Sequence, residues 1–383
     1  MSMQSSRFWL IFWSLAVFFG PSGAEATPQF ARQHRVDCSY CHVAPPRLNE
    51  RGLAFLLSGY RLESGKANST LPLAVWNTFD FETRHSADFT KAFPSRIELI
   101  SAGPIGSSRT VYFAEWRALS QSIGGNRHLL DRSGRFEDLF LNVPLSRGGA
   151  FSATVGQFRA LTQVDVSQRL SLSEPLAFSA GLTGRRAAST RLTGLRSFSA
   201  SGRQPAVRVE FRRSEDSPTA GWFGAATLPL TGELTIPFTD AASFELEGRP
   251  KGVFLEVYRR AGLSSVGGHV FIGDNDRRLA TIVGTYSVRH RVALLGAIGR
   301  FGAAGSADTR FSVGGEFAVT PALIGGLRLD HRTTLSRDPA LLLYGNGHLP
   351  FAPAAWRQAL RLQIEHRVEE SNHITSVALS HVF

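Results

Sequence analysis

The residues with the most specific chemistry are the two cysteines, which fall in Cys38-Ser39-Tyr40-Cys41-His42. This is C-x-x-C-H, the attachment signature of c-type haem. Two thiols three positions apart can each form a thioether to one of the two vinyl-derived carbons on the same side of a porphyrin. The adjacent His42 then lies under the iron as proximal ligand. The spacing alone also admits a strained Cys38–Cys41 disulfide or a zinc site. Structural zinc normally takes four protein ligands, and the chain has no second cysteine pair. The expected cofactor is therefore one covalent haem c, bound by Cys38, Cys41 and His42.

Residues 1–26 read as an export signal. Arg7 precedes the apolar run Phe8–Phe19, Gly20-Pro21-Ser22 breaks it, and Ala24-Glu25-Ala26 offers a small-x-small cleavage site. An uncleaved anchor is the alternative, but the run is short for a bilayer span. Both methionines, Met1 and Met3, leave with the signal. A His/Met haem is then impossible within the mature chain, and the sixth ligand must be sought among histidines. His128, His290 and His348 fall in predicted turns or loops. His85, His331, His366, His373 and His381 share parity with apolar, lipid-facing positions. His269 falls on a lumen face opposite Val266, Val270 and Ile272, and His34 lies four residues before Cys38. The expectation is ligation by His42 with His269 or His34, against an open sixth position.

The segment that positions this motif is short. Between Thr27 and about Thr70, Asn49 can cap a helix running to Ser58, with Gly59 just beyond it. Leu48, Leu53, Phe55, Leu56, Leu57 and Tyr60 supply apolar surface. Chains this short rarely build a sufficient core unaided, so the rest of the chain must shield the haem.

From Ala74 onward the sequence becomes segments of about 8–11 residues with period-2 alternation, as in transmembrane strands. Val207, Val209 and Phe211 oppose Arg208, Glu210 and Arg212. Leu360, Leu362 and Ile364 oppose Arg361, Gln363 and Glu365. Val253, Leu255 and Val257 oppose Phe254, Glu256 and Tyr258. Tyr112, Ala114, Trp116 and Ala118 oppose Phe113, Glu115 and Arg117. Further strands start near Ala74, Ser95, Arg135, Ala150, Leu176, Arg191, Trp222, Val266, Leu279, Val292, Thr309, Ala322 and His373. A bacterial single-chain barrel has an even strand number, so sixteen is expected, with eighteen as the alternative. Thr320-Pro321 and Val288–Arg291 read as periplasmic turns. They agree with a periplasmic C-terminus only if Thr333–Trp356 hides one more strand, near Pro339–Tyr344. A soluble β-sandwich also alternates, but it would not bury Arg and Glu together on many strands. The chain also ends on an aromatic, Phe383, in an alternating last strand. The fold class is thus all-β. The expectation is an outer-membrane barrel (71–383), a helical haem c domain (27–70) plugging its lumen, and a signal peptide (1–26).

Composition narrows the function. The chain of 383 residues carries a net charge of +11. Export removes nucleic acid as a partner, and leaves outer-membrane lipid and lipopolysaccharide as anionic neighbours. No phosphate loop, nucleophile elbow or H-E-x-x-H motif is present.

Pro28-x-Phe30-Ala31-Arg32, Cys38-x-x-Cys41-His42, Pro46-x-Leu48-Asn49-x-x-Gly52-x-x-Phe55 and Gly59-Tyr60 together resemble the fused outer-membrane cytochrome–porin proteins. The best-known members of that family are ferrous-iron oxidases. Over the barrel the resemblance is architectural. It implies a haem domain plugging the barrel and an oxidoreductase of the cytochrome c iron-oxidase kind. Electrons would pass from an extracellular donor such as ferrous iron to a periplasmic c-type cytochrome. The arginine surplus would repel a free cation from an open lumen, unless those arginines pair with lumen carboxylates, haem propionates and lipopolysaccharide. The competing reading is porin-type transport of small anionic solutes, with the haem domain as gate or redox sensor.

Overall fold

The computed structural model describes residues 28–44, 47–61, 72–84, 93–123, 129–131, 133–159, 203–215, 217–230, 252–273, 278–288, 291–303, 306–320, 322–333, 339–348, 360–369 and 372–382. Three short helices come first: α1 (Pro28–His34), α2 (Cys38–Cys41) and α3 (Glu50–Leu57). A ribbon of β1 (His42–Ala44) and β2 (Arg47–Leu48) lies between the last two. Strands follow: β3 (Leu73–Arg84), β4 (Phe93–Pro104), β5 (Val111–Ile123), β6 (Leu129–Asp131), β7 (Arg135–Pro144), β8 (Phe151–Arg159), β9 (Arg203–Ser214) and β10 (Gly221–Pro229). Next come β11 (Gly252–Ala261), β12 (Ser264–Gly273), β13 (Arg278–Val288), β14 (Val292–Ala303) and β15 (Ser306–Thr320). The last are β16 (Leu323–Arg332), β17 (Ala340–His348), β18 (Leu360–Glu369) and β19 (Asn372–Val382).

Consecutive strands pair antiparallel, and β19 returns to pair with β3, so the sheet closes on itself. Closure satisfies each strand's backbone groups on both sides, which a hydrocarbon surround demands. The short β6 pairs with β5 beside the direct β5–β7 ladder, leaving a ring of sixteen strands.

Alternation sorts the side chains as their types require. Val209, Leu255, Val257, Val270, Ile282, Ile298, Val313, Leu327, Leu343 and Ile364 are exposed on the outer wall. Arg208, Glu210, Glu256, Thr281, Ser312, Arg328, Asp330, Gln363 and Glu365 are buried on the inner one. Such an exterior suits lipid, and such an interior suits a polar lumen.

The inner charges meet opposite charges. Glu210 takes Arg208 at 2.6 Å and Arg212 at 3.0 Å, and accepts a hydrogen bond from Ser152 at 2.8 Å. Arg310 pairs with Asp308 at 2.7 Å, Arg328 with Asp330 at 3.1 Å, and Arg117 donates to Glu137 at 2.8 Å. Much of the lumen's arginine is thus neutralised within the wall.

The strand starts expected near Leu176 and Arg191 lie outside the described residues. In the ring β8 pairs directly with β9. The hidden strand within Thr333–Trp356 is β17, which runs to His348, so that histidine ends a strand instead of lying in a loop. His381 shares strand parity with Leu379 yet is buried, which an open lipid-facing site would not give. His85, His128, His290 and the signal segment lie outside the described residues.

The turns 105–110, 145–150, 215–220, 262–263, 289–291 and 321–322, and the longer connection 349–359, leave one end of the barrel, where β3 also begins and β19 finishes. Consecutive strands across 160–202 and 231–251 are joined at the other end. Short turns mark the periplasmic end of outer-membrane barrels.

Candidate functional site

The C-x-x-C-H motif forms one helical turn, α2, after which His42 starts the ribbon. A helical turn brings residues three apart to one face, the arrangement that two thioethers to one porphyrin edge require.

Asn49 holds the turn in place. Its backbone N–H donates to the Cys41 carbonyl at 2.9 Å, and its side-chain amide donates to the carbonyls of Ser39 and Tyr40 at 3.1 and 3.0 Å. Its Oδ1 accepts from the Gly52 N–H at 3.0 Å, which caps α3. One residue thus closes the end of α2 and opens α3. Gly52 lets the two helices touch: a Cβ there would lie 2.0 Å from the Cys41 carbonyl oxygen. Helix α3 ends at Ser58, and Gly59 takes the left-handed φ of +71° that glycine tolerates. The Asn49-x-x-Gly52 spacing beside the haem motif therefore has a packing cause.

Rings pack around this core. Phe30 meets Phe55 edge-on at 4.9 Å and stacks on Tyr60 at 5.6 Å. His34 meets Phe55 edge-on at 5.9 Å. Tyr60 stacks in turn on Phe113 of β5 at 5.3 Å, and Phe113 on Phe140 of β7 at 5.4 Å.

The domain touches the wall in four sectors. Arg32 donates to the Leu73 carbonyl of β3, and Gln33 to the Ala102 carbonyl of β4 at 2.9 Å. Arg61 donates to the Asn142 carbonyl and side chain of β7 at 2.9 and 2.7 Å, and to the Arg109 carbonyl at 2.6 Å. Leu57 packs against Phe223 of β10 and Tyr258 of β11. Arg47 lies beside Glu316 of β15 and Tyr344 of β17. Since Leu73, Ala102 and Arg109 lie near the short-turn end, the domain occupies that half of the lumen.

The described residues fit a haem. Buried polar groups are normally hydrogen-bonded, yet this small domain holds several buried atoms with no partner among the described residues. They are both amide atoms of Gln29, Oε1 of Gln33, Nδ1 of His34 and Nη1 of Arg47. Such atoms call for a polar group within the domain. Burial lowers the pKa of His34 and so favours the neutral imidazole, the form that ligates metals.

Of the expected site residues, Cys38 and Cys41 share one turn, His42 follows it directly, and His34 packs in the same domain. His269 sits on β12, buried on the lumen side between Glu256 and Thr281 and beside Phe271. Sequence reasoning missed Gln29, Arg47 and Arg61, whose polar side chains stand inside or just after the quoted motifs without a spacing of their own. It also missed the buried trio Glu98, Glu115 and Glu137, whose carboxylates lie within 4.8 Å of one another. Arg117 pairs with Glu137 and stands 3.6 Å from Glu98, so the trio is part of the wall's ion-pair network.

Among solved structures, the chain is similar to the OmpF of Salmonella typhi in complex with daunomycin, at 10% identity and TM-score 0.54, over 82% of this chain and 97% of that one. It is also similar to a mutant porin of Rh. blastica, at 9% identity and TM-score 0.51, over 82% of this chain and 100% of that one. No family model and no curated protein matches the chain. At these identities the likeness is one of fold: the chain has the closed antiparallel barrel of porins.

Proposed function

We propose that the protein carries electrons across the outer membrane through one haem c held by Cys38, Cys41 and His42. The observation that carries this reading is the position of the C-x-x-C-H turn, in a domain fastened to the inner wall in four sectors. A diffusion pore has no need of such a fastened domain in its lumen. A redox centre inside an insulating bilayer does need a wall and a fixed position. Haem would supply a one-electron centre. The chain's own residues fix it: Asn49 and Gly52 hold the attachment turn, and Phe30, Phe55 and Tyr60 exclude water. His34, half-buried and with Nδ1 lacking a partner among the described residues, is the favoured sixth ligand over His269. The domain's place near the short-turn end suits delivery to a periplasmic c-type cytochrome. The donor class implied by the family resemblance is ferrous iron outside the cell, which keeps ferric precipitate off the periplasm.

A second reading is supported by the porin-type barrel and the net charge of +11: entry of small anions, gated by the haem domain. Stopped-flow mixing of the purified protein with ferrous iron separates the two. Rapid appearance of reduced haem bands is expected. Unchanged bands, with liposome swelling in small anions, would support transport instead.

A further inference from the structure

Arg47 belongs to the ribbon that begins at the haem motif: β1 and β2 pair His42 with Leu48 and Ala44 with Arg47. Its side chain is only 7% exposed. A guanidinium offers five donors in a rigid fork and stays charged. Burying one is costly unless a partner meets it. Here Nη1 has no hydrogen-bond partner among the described residues. The groups acting on its charge are Glu316 and Tyr344 on the wall, and the Tyr344 hydroxyl lies 3.1 Å from Glu316 Oε1, already joined to it. Among the described residues no carboxylate comes within ion-pair distance of Arg47. Part of its fork is therefore left for a further acceptor. The acceptor chemistry that matches a planar fork is a carboxylate, and haem carries two as propionates.

We infer that Arg47 grips a haem propionate on the side of the domain that faces Glu316 and Tyr344 of the barrel wall. This rests on the haem reading above. Arg47 is a positioning residue that touches the cofactor's edge and biases its redox balance. A fixed positive charge beside the propionate favours the reduced haem, which carries one more negative charge than the oxidised form.

The test uses the full-length holoprotein in detergent. In Arg47→Gln, at a fixed ambient potential, the oxidised-to-reduced ratio should rise about tenfold, equal to a fall of about 59 mV for one electron. The propionate bending band in the resonance Raman spectrum should shift. Arg47→Lys keeps the charge and should restore most of the potential. Glu316→Gln, which removes the opposing charge, should move the ratio the other way. The last variant keeps the test open if Arg47→Gln does not assemble. Covalent haem with an unchanged potential and propionate band in Arg47→Gln, or an unmoved ratio in Glu316→Gln, would overturn the inference alone. A parent protein without covalent haem would overturn the haem reading, and this inference with it.

Discussion

The barrel wall and the N-terminal domain differ in where their buried charges find partners. On the wall, Glu210 has Ser152, Arg208 and Arg212, and Asp330 has Ser312 and Arg328. Every strand lies between two partners in a closed ring. In the domain, Gln29, Gln33, His34 and Arg47 keep buried atoms without partners among the described residues, and much of its apolar packing is borrowed from Phe113, Phe223 and Tyr258. The wall meets these carboxylates from its own strands, although Nε of Arg208, Arg212 and Arg260 also lacks a partner among the described residues. The domain leans on the wall outside it and, in the proposed reading, holds the haem within it.

The contrast is broken most completely at the cysteines. The Cys38→Ala, Cys41→Ala double variant should lose all covalent haem, seen as loss of haem stain after denaturing electrophoresis. Residues 27–70 should become protease-sensitive, while the barrel still migrates faster unheated than boiled. A barrel that fails together with the haem would mean that the two regions fold as one.

Next in size is the wall's own polar network. Glu210→Gln leaves Arg208 and Arg212 facing each other without a carboxylate. Breaking a buried pair in this way costs about 3–5 kcal/mol. The thermal unfolding of the barrel in detergent should fall accordingly, with the haem spectrum unchanged.

The outer wall is tested at Ile282, 65% exposed and near the middle of β13. Ile282→Arg places a charge against hydrocarbon and should cost about 2–4 kcal/mol in refolding into bilayers. Equal stability of this variant and the parent would argue against a lipid-facing belt.

The smallest effect is expected at the clamp between the regions. Arg61 donates to the Asn142 carbonyl and side chain and to the Arg109 carbonyl. Arg61→Ala should loosen the domain by about 2 kcal/mol, the scale of a hydrogen bond from a charged donor. Faster proteolysis of residues 27–70 and a small rise in ion conductance are the readouts, with barrel stability unchanged.

How much of this was legible in the sequence follows the same division. The strands announced themselves because period 2 is a property of each strand alone: the opposed faces Val207/Arg208 and Leu255/Glu256 need no knowledge of neighbours. Turn bookkeeping even located β17, since the ring must close with both ends together. The segments near Leu176 and Arg191 lie outside the described residues, and a local alternation by itself does not say whether a segment joins the ring. In the domain, Asn49 was legible because a helix start demands a cap, and the Cys38–Cys41 spacing falls on one helical turn. Arg47, Gln29 and Arg61 were not, because their roles depend on which wall residues the folded domain meets. Glu316 and Asn142 are 269 and 81 positions away from Arg47 and Arg61 respectively.

The central claim is that electrons, and not solutes, pass through the plugged barrel. It is tested most directly by placing the protein in sealed liposomes loaded with oxidised cytochrome c, then adding a membrane-impermeant ferrous chelate outside. The account predicts reduction of the trapped cytochrome at a rate that depends on Cys38 and Cys41, without leakage of small trapped anions. Anion leakage with the trapped cytochrome still oxidised would contradict it.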